Sequence, residues 1–334
     1  MTKKIKDTDY LAVSARIRAM ENRLLTQEQF EQLLQARSGE EAAKLLQSFG
    51  YPELDPARPE EMDAALSAAR AASIADLAPD VPDAGLVDVF KLKYDYHNLK
   101  TLLKAAALET DASHMLADLG RVGADALREA LATGETGSLP GFLARAAEEA
   151  RTVLETTRDP QLSDAVLDRW YYADLLSAAE GTGSAFLTGW VRLQIDAANL
   201  RTLVRTIRMG KNADFLRGVL FPGGTVEADG ILAVSAADGA GLAELYAATD
   251  LRDAAASGAE TLRGGYLTEF ERLCDDTVNA YLDRARLIPF GEAPLLAYLA
   301  WRETEYMDLR IALLGRAAGL PADVIRARLR AGYR

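Results

Sequence analysis

The sequence predicts an all-α protein built from three similar helical repeats. Alanine and leucine are abundant and β-branched residues are sparse, a composition that favours helix along most of the chain. A short motif recurs at near-equal spacing, which indicates internal repetition. The 334 residues also exceed the roughly 250–300 residues that one hydrophobic core usually serves, so we expect more than one domain.

Clusters of turn-forming residues separate the predicted helices. In chain order they lie at 51–59, 79–85, 133–141, 181–189, 221–230 and 289–294. Capping residues mark two helix starts as well. Thr26 stands three residues before Gln29, and Ser38 stands three residues before Glu41, which is the spacing of a capping box. We therefore expect helices to begin just after Thr26 and Ser38.

The recurring motif reads acid-x-x-(Asn/Asp)-Leu-(Lys/Arg) and occurs three times. Its acidic and amide positions are Asp95 with Asn98, Asp196 with Asn199, and Glu305 with Asp308. The acids are 101 and 109 residues apart, so each copy occupies about a third of the chain. We predict three repeat domains, approximately 1–110, 111–212 and 213–334, between which helices can be exchanged. Spacing alone permits either a closed ring of approximate threefold symmetry or an open solenoid.

The acids of the motif lie within the apolar stripe of their predicted helices. At about 100° per residue, the acid, the amide and the following leucine project from one side of the helix. A buried carboxylate requires a partner. The three acids are therefore either catalytic or structural tethers between helices. Repetition in all three copies favours tethers, because an asymmetric substrate rarely requires three equivalent acids.

The sequence contains no recognisable catalytic, cofactor or metal site. There is no phosphate-binding glycine loop, and a single cysteine, Cys274, cannot form a cysteine metal cage. The two histidines, His97 and His114, are too few for most histidine metal sites. Cys274 precedes two aspartates, which raise rather than lower a thiol pKa, so we expect it to be unreactive. The residues therefore offer no catalytic constellation.

The chain as a whole is acidic, whereas some of its polar helix faces carry basic residues. With 38 basic and 50 acidic residues the net charge is −12, which makes a nucleic-acid partner improbable. Neither a signal peptide nor a membrane-spanning run is evident, so we expect a cytoplasmic protein. Basic residues on polar faces and near the C-terminus are candidates for partner binding: Lys100, Arg201, Arg310, Arg326, Arg328 and Arg330. The C-terminal arginines could instead complement their own helix dipole.

The ordered set of motifs resembles a known family. The three motif copies, the Phe221-Pro-Gly-Gly turn and the opening segment from Tyr10 to Met20 are similar to the C subunit of V/A-type rotary ATPases. That protein is the prokaryotic counterpart of the eukaryotic d subunit. The resemblance extends from about Asp7 to Tyr333. The third copy departs from the pattern, since Glu305 and Asp308 replace the Asp and Asn of the other copies.

The resemblance implies a funnel of three helical domains around a central cavity. It implies a non-catalytic adaptor without a cofactor or a small-molecule substrate. The adaptor would lie on the cytoplasmic side of the membrane, bound to the central shaft (D- and F-type subunits) and to the membrane proteolipid ring. Two other interpretations stay open from the residues alone. One is an all-α enzyme with an acid-lined cavity, for which the Asp275-Asp276 pair does not complete an aspartate-rich motif. The other is a free-standing helical scaffold.

Overall fold

The computed structural model describes residues 5–330. Within that range it contains α-helices and short 3-10 turns and no β-strand, so the all-α prediction is confirmed. None of the helices described is both long enough and apolar enough to cross a membrane.

The described residues form sixteen α-helices. In chain order they are α1 (Leu11–Glu21), α2 (Gln27–Gln35), α3 (Gly39–Ser48), α4 (Pro59–Leu77), α5 (Ala84–Leu108), α6 (Ala124–Thr133), α7 (Gly141–Thr157), α8 (Pro160–Thr182), α9 (Ala185–Arg208), α10 (Ala213–Val219), α11 (Ala228–Ala236), α12 (Leu242–Leu245), α13 (Arg252–Leu262), α14 (Leu267–Asp283), α15 (Glu292–Ala317) and α16 (Ala322–Arg326). Short 3-10 turns lie at Asp7–Tyr10, Ala78–Asp80, Ser113–Met115, Thr136–Ser138 and Arg284–Leu287.

The chain divides into two compact units. One unit consists mainly of Asp88–Tyr281 and contains the first two motif copies, on α5 and α9. The other joins Lys6–Val87 to the chain from Leu282 onward and contains the third copy, on α15. The predicted division into three domains at 110 and 212 stays a prediction. Residues 1–4 and 331–334, at its outer ends, lie outside the described residues.

In the unit of Asp88–Tyr281, successive helices pack against one another. α7 packs against α8, and α8 against α9. Pro160 opens α8, where the Asp159 side chain accepts a hydrogen bond from the Gln161 N–H, a favourable helix start. The helix ends at Gly183, whose φ of 74° suits glycine. The core around α9 contains buried Leu203, Leu216, Tyr246, Phe270 and Cys274.

In the second unit, α15 lies at the centre. It packs against α1, α2, α3, α4 and α16, and most of its N-terminal half is buried. The predicted capping box at Thr26 and Gln29 is present in full. At Ser38 only half of the box forms, because the Glu41 carboxylate accepts from the N–H of Arg37, one residue earlier than predicted.

Candidate functional site

The three motif acids are buried in their own repeats. Asp95 on α5, Asp196 on α9 and Glu305 on α15 are 0, 2 and 1% exposed, as their place in the apolar stripe predicts. Burial on this scale requires several hydrogen-bond donors for each carboxylate. All three carboxylates receive them from residues of this chain.

Asp95 binds the loop that follows α5. Its Oδ1 accepts from the N–H of Val122 at 3.1 Å, and its Oδ2 accepts from Nε of Arg121 at 2.8 Å. Arg121 also donates from Nη2 to Asp174 on α8 at 2.8 Å. Tyr96 donates its hydroxyl hydrogen to Asp174 at 3.3 Å. One guanidinium therefore links the motif helix, its following loop and α8.

Asp196 binds the corresponding loop after α9 without an arginine. Its carboxylate accepts from the N–H of Thr225 at 2.9 Å, the Thr225 hydroxyl at 2.6 Å and the N–H of Val226 at 3.1 Å. Three neutral donors thus replace the guanidinium used by Asp95. The Phe221-Pro-Gly-Gly turn of the sequence analysis immediately precedes Thr225 and brings these donors to the carboxylate.

Glu305 binds residues from the N-terminal part of the chain. Its Oε2 accepts from the N–H of Leu25 at 2.6 Å, and its Oε1 accepts from the Tyr51 hydroxyl and from Arg302. Arg302 also donates to the hydroxyl oxygens of Tyr51 at 2.9 Å and Tyr306 at 2.6 Å. The third motif is therefore completed by residues far from it in sequence.

The three contacts occupy the same structural position. Val122, Val226 and Leu25 each stand immediately before the N-cap residue of a short helix, α6, α11 and α2 respectively. Each motif acid therefore accepts a backbone hydrogen bond at the entrance to a helix. This contact fixes where that helix begins relative to the motif helix.

Glycine allows the loop to approach the two aspartates. A Cβ added at Gly120 would overlap Oδ1 of Asp95, and one added at Gly224 would overlap Oδ1 of Asp196. Both glycines stand two residues before the valine that donates to the acid. Arg23 occupies this offset before Leu25, where the acid is a glutamate with a longer side chain. The third copy thus differs twice from the other two: a glutamate replaces the aspartate, and Arg23 replaces the loop glycine.

The second motif position also binds the following loop in every copy. Asn98 exchanges two hydrogen bonds with the backbone of Ala117, at 2.7 and 2.8 Å. Asn199 exchanges the same pair with Phe221, at 2.8 Å each. Asp308 has no amide hydrogen to donate and accepts from the N–H of Arg330 at 3.2 Å.

The hydrogen bonding of these sites fits tethers better than acid catalysts. Burial raises the pKa of Asp95 and of Glu305, and the guanidiniums of Arg121 and Arg302 oppose that rise. Burial, followed by the charge of Glu305, raises the pKa of Tyr51, so its hydroxyl stays protonated as a donor. Each carboxylate is occupied by donors from this chain, which is the arrangement expected of a structural contact.

The basic residues on the three motif helices, which were proposed for partner binding, form ion pairs within the chain. Lys100 pairs with Asp168 at 2.5 Å, Arg201 with Asp275 at 2.6 Å and Arg310 with Asp63 at 2.6 Å. In each case the acid lies on a second long helix, α8, α14 or α4. Each motif helix therefore has one such ion pair, just as each has one buried acid.

The C-terminal arginines differ from one another. Arg326 forms a two-pronged pair with Glu31 on α2, at 2.8 and 2.5 Å. Arg328 is exposed, and the backbone of Arg330 binds Asp308. The role of all six basic residues in partner binding stays a prediction.

Sequence reasoning missed the loop half of each tether. Arg121, Tyr51, Arg302 and Gly120 were not singled out. Gly224 was named only as part of the Phe221-Pro-Gly-Gly turn, and Thr225 after it was given no role. One signal was available, because Gly120-Arg-Val and Gly224-Thr-Val share a pattern just before a helix start. The donors to Glu305, Leu25 and Tyr51, lie more than 250 residues away from it. Their only signal is fainter: the segment from Leu25 to Tyr51 resembles Thr225 to Asp250 in its two short helical patterns.

Cys274 should be unreactive in the folded chain. It is fully buried on α14, and burial raises the pKa of its thiol to about 12. We expect little alkylation by iodoacetamide at a pH near the unfolded thiol pKa of about 8.5, and complete alkylation in guanidinium chloride. Because the folded pKa is the higher one, the thiol's contribution to stability is present below about pH 8.5 and is lost as pH rises towards 12. Rapid labelling of the native chain would contradict this.

Comparison with known proteins identifies the family. The model of the ATP synthase (C/AC39) subunit family matches residues 13–328. The C subunit of the V-type sodium ATPase of Enterococcus hirae is 26% identical over 97% of this chain and 99% of its own length. The C subunit of the A-type ATP synthase of Desulfurococcus is 28% identical over 91% of this chain and 86% of its own. The C subunit of the V-type ATP synthase of Thermus thermophilus is 27% identical over 94% and 96%. The chain therefore belongs to the ATP synthase (C/AC39) subunit family, a structural and non-catalytic component of V/A-type rotary ATPases.

Proposed function

We propose that this chain is the central-stalk adaptor of a V/A-type rotary ATPase. It acts as a non-catalytic socket that links the rotor shaft to the membrane proteolipid ring and transmits torque between them. The observation that carries the proposal is the family match across residues 13–328. Relatives named as a sodium ATPase and as ATP synthases support a role in ATP-driven ion transport or ATP synthesis.

The tethers support a role in torque transmission. A buried carboxylate joins each motif helix to the entrance of a short helix. Asn98, Asn199 and Asp308 additionally bind the backbone of the segment that follows their motif helix. Hydrogen bonds to a charged group contribute about 1.5–3 kcal/mol each, more than neutral ones. Helices joined in this way resist sliding along one another, a property that a torque-transmitting part requires.

The proposed arrangement is a funnel of three repeats with approximate threefold symmetry. The repeats correspond approximately to 1–110, 111–212 and 213–334, and N-terminal residues complete the third. The contacts of Leu25 with Glu305 and of Glu31 with Arg326 support that completion. In this arrangement the D- and F-type shaft subunits bind one side and the proteolipid ring the other. The chain is then peripheral, on the cytoplasmic side of the membrane.

Affinity purification tests the proposal against the remaining alternatives. Membership of a non-catalytic family overturns the acid-lined enzyme. To test the free-standing scaffold, the tagged chain is purified from its host in mild detergent. Head, shaft and ring subunits should co-purify with it in fixed ratios. A chain that purifies alone would overturn the adaptor role.

Charge reversal of the C-terminal arginines should uncouple the motor. We expect the Arg326→Glu, Arg328→Glu, Arg330→Glu variant to retain ATP hydrolysis in the reassembled complex while losing most ion pumping. The physical reason is that attraction between the arginines and acidic groups of a partner becomes repulsion. Because salt screens such charges, the size of the defect should change with ionic strength. Parallel measurement of hydrolysis and of ion uptake into vesicles checks this.

A second variant separates partner binding from folding. Adding Glu31→Arg to the triple variant restores the pair that the parent forms between Glu31 and Arg326. The isolated protein should then melt like the parent, while the pumping defect persists. Recovery of pumping with this fourth change would show that the arginines serve only their own fold.

A further inference from the structure

Two of the three motif helices are covered near their C-terminal ends by a short helix. α10 packs against α9 and α11, and α16 packs against α15 and α2. Both covering helices contain Ala-Asp-x-aliphatic-Arg, at residues 213–217 and 322–326. The aliphatic residues, Leu216 and Ile325, are 0 and 1% exposed. Each covering helix therefore inserts one aliphatic anchor beside its motif helix.

The first motif helix, α5, lacks such a cover. The connection from Asn98 to its loop partner Ala117 spans 19 residues, whereas the corresponding connections after Asn199 and Asp308 span 22. In the shorter connection a 3-10 turn, Ser113–Met115, stands in place of the helix. The Met115 side chain is 54% exposed, so it does not serve as an anchor.

A cavity lies at the uncovered position. It has a volume of about 780 Å³ and is bounded by α5, α6, α7 and residues 110–113 of the connection after α5. Its apolar lining includes Leu102, Leu103, Leu131 and Leu154. We call it the first-repeat groove. Its size falls in the range of roughly 300–1,000 Å³ typical of binding pockets.

The motif register relates this lining to the covered repeats. Leu102 and Leu103 correspond to Leu203 and Val204, which share a core cluster with the anchor Leu216. Leu102 likewise corresponds to Ala312, which packs with the anchor Ile325. The first-repeat groove is thus lined by the positions on which the other repeats seat a helix, with Leu103 buried and Leu102 partly exposed.

The charged residues that line the first-repeat groove have a small positive excess. Arg128, Arg151 and Arg158 line it together with two acids, Asp111 and Glu155, in a chain of net charge −12. Among the described residues, Arg158 forms no ion pair, and Arg151 is 3.7 Å from Glu155. Arg128 pairs with the highly exposed Asp125, a contact of little strength. These guanidiniums favour an acidic occupant.

We propose that the first-repeat groove binds a short acidic helix of a partner protein through one aliphatic anchor. The anchor would occupy the position that Leu216 and Ile325 fill in the other repeats, and acidic side chains beside it would contact the three arginines. This is helix-in-groove recognition. The partner would supply the short covering helix that this chain has in the second and third repeats, as α10 and α16, and lacks in the first. None of the six basic residues considered above for partner binding lines the first-repeat groove.

The test uses peptides based on α10 together with the full chain. The probe is a fluorescein-labelled, side-chain-stapled peptide of residues 212–220 carrying Arg217→Glu. It is compared with the unchanged sequence and with a form that also carries Leu216→Ser. We expect saturable binding by fluorescence anisotropy, weakened by salt. The Leu216→Ser form should bind about tenfold more weakly, and the unchanged, less acidic sequence should also bind more weakly.

Two exposed alanines on α6 provide matched variants of the chain. Ala132 lines the first-repeat groove, whereas Ala126 does not. Ala132→Trp should weaken probe binding about tenfold, and Ala126→Trp should leave it unchanged. Changing Arg128, Arg151 and Arg158 together to Glu should remove the preference for the acidic probe. Circular dichroism confirms that each variant is folded.

Several results would overturn the proposal. The first is no saturable binding of the probe up to about 1 mM, an affinity too weak for a specific site. The second is binding that Ala132→Trp and Ala126→Trp affect equally. The third is a dimer of the chain alone, measured by sedimentation velocity, that Ala132→Trp dissociates, because the occupant would then be a second copy. The fourth is binding of anionic lipid vesicles that requires Ala132 while the probe fails to bind.

Discussion

Replacing Glu305 by leucine should lower the free energy of unfolding by about 3–5 kcal/mol, the cost expected when one partner of a buried ion pair is removed. Arg302, on the same helix α15, would remain without its carboxylate, and the N–H of Leu25 and the Tyr51 hydroxyl would lose their acceptor. Denaturant unfolding followed by circular dichroism measures the change.

Asp95→Leu serves as the matched comparison. Here Arg121 keeps its second carboxylate, Asp174, at 2.8 Å, so the guanidinium is not left unpaired. We expect a smaller loss of about 1–3 kcal/mol, mainly from the N–H of Val122 and one lost ion contact. An unchanged midpoint for both variants would contradict the tether interpretation and would fit acids without a structural role.

Gly224→Ala should destabilise the chain by about 1–3 kcal/mol, the usual cost of overpacking a filled site. The new Cβ would overlap the buried carboxylate of Asp196, which cannot move without losing its bonds from Thr225 and Val226. Thermal and denaturant unfolding of the purified variant measure the loss.

Gly218→Ala is the control for this substitution. Gly218 lies within α10, and a Cβ added there meets no atom within 4 Å. Alanine is a better helix former than glycine, so this change should be neutral or stabilising by about 0.5–1 kcal/mol. Equal effects at Gly218 and Gly224 would show that crowding against Asp196 does not matter.

The sequence was sufficient for features that depend on local pattern. Helical composition predicted the all-α class, and the three motif copies predicted that Asp95, Asp196 and Glu305 lie on the buried side of long helices. The six predicted turn clusters coincide with interruptions between helices, although the break at 181–189 is only two residues wide. The break at 109–123 was missed, because its glycine, aspartate and serine residues are dispersed and it contains no proline.

The sequence by itself determined which residues of the motif helices point inwards, since helical periodicity places them on one side. Only the tertiary structure decided what those residues contact. Asp95 and Asp196 bind the loop that follows their own helix, whereas Glu305 binds Leu25 and Tyr51 from the other end of the chain. The physical reason is that a buried carboxylate accepts any donor that folding brings within reach. The sequence distance between carboxylate and donor does not limit that choice. The close approach of Gly224 to the carboxylate of Asp196 likewise depends on how the loop folds back onto α9.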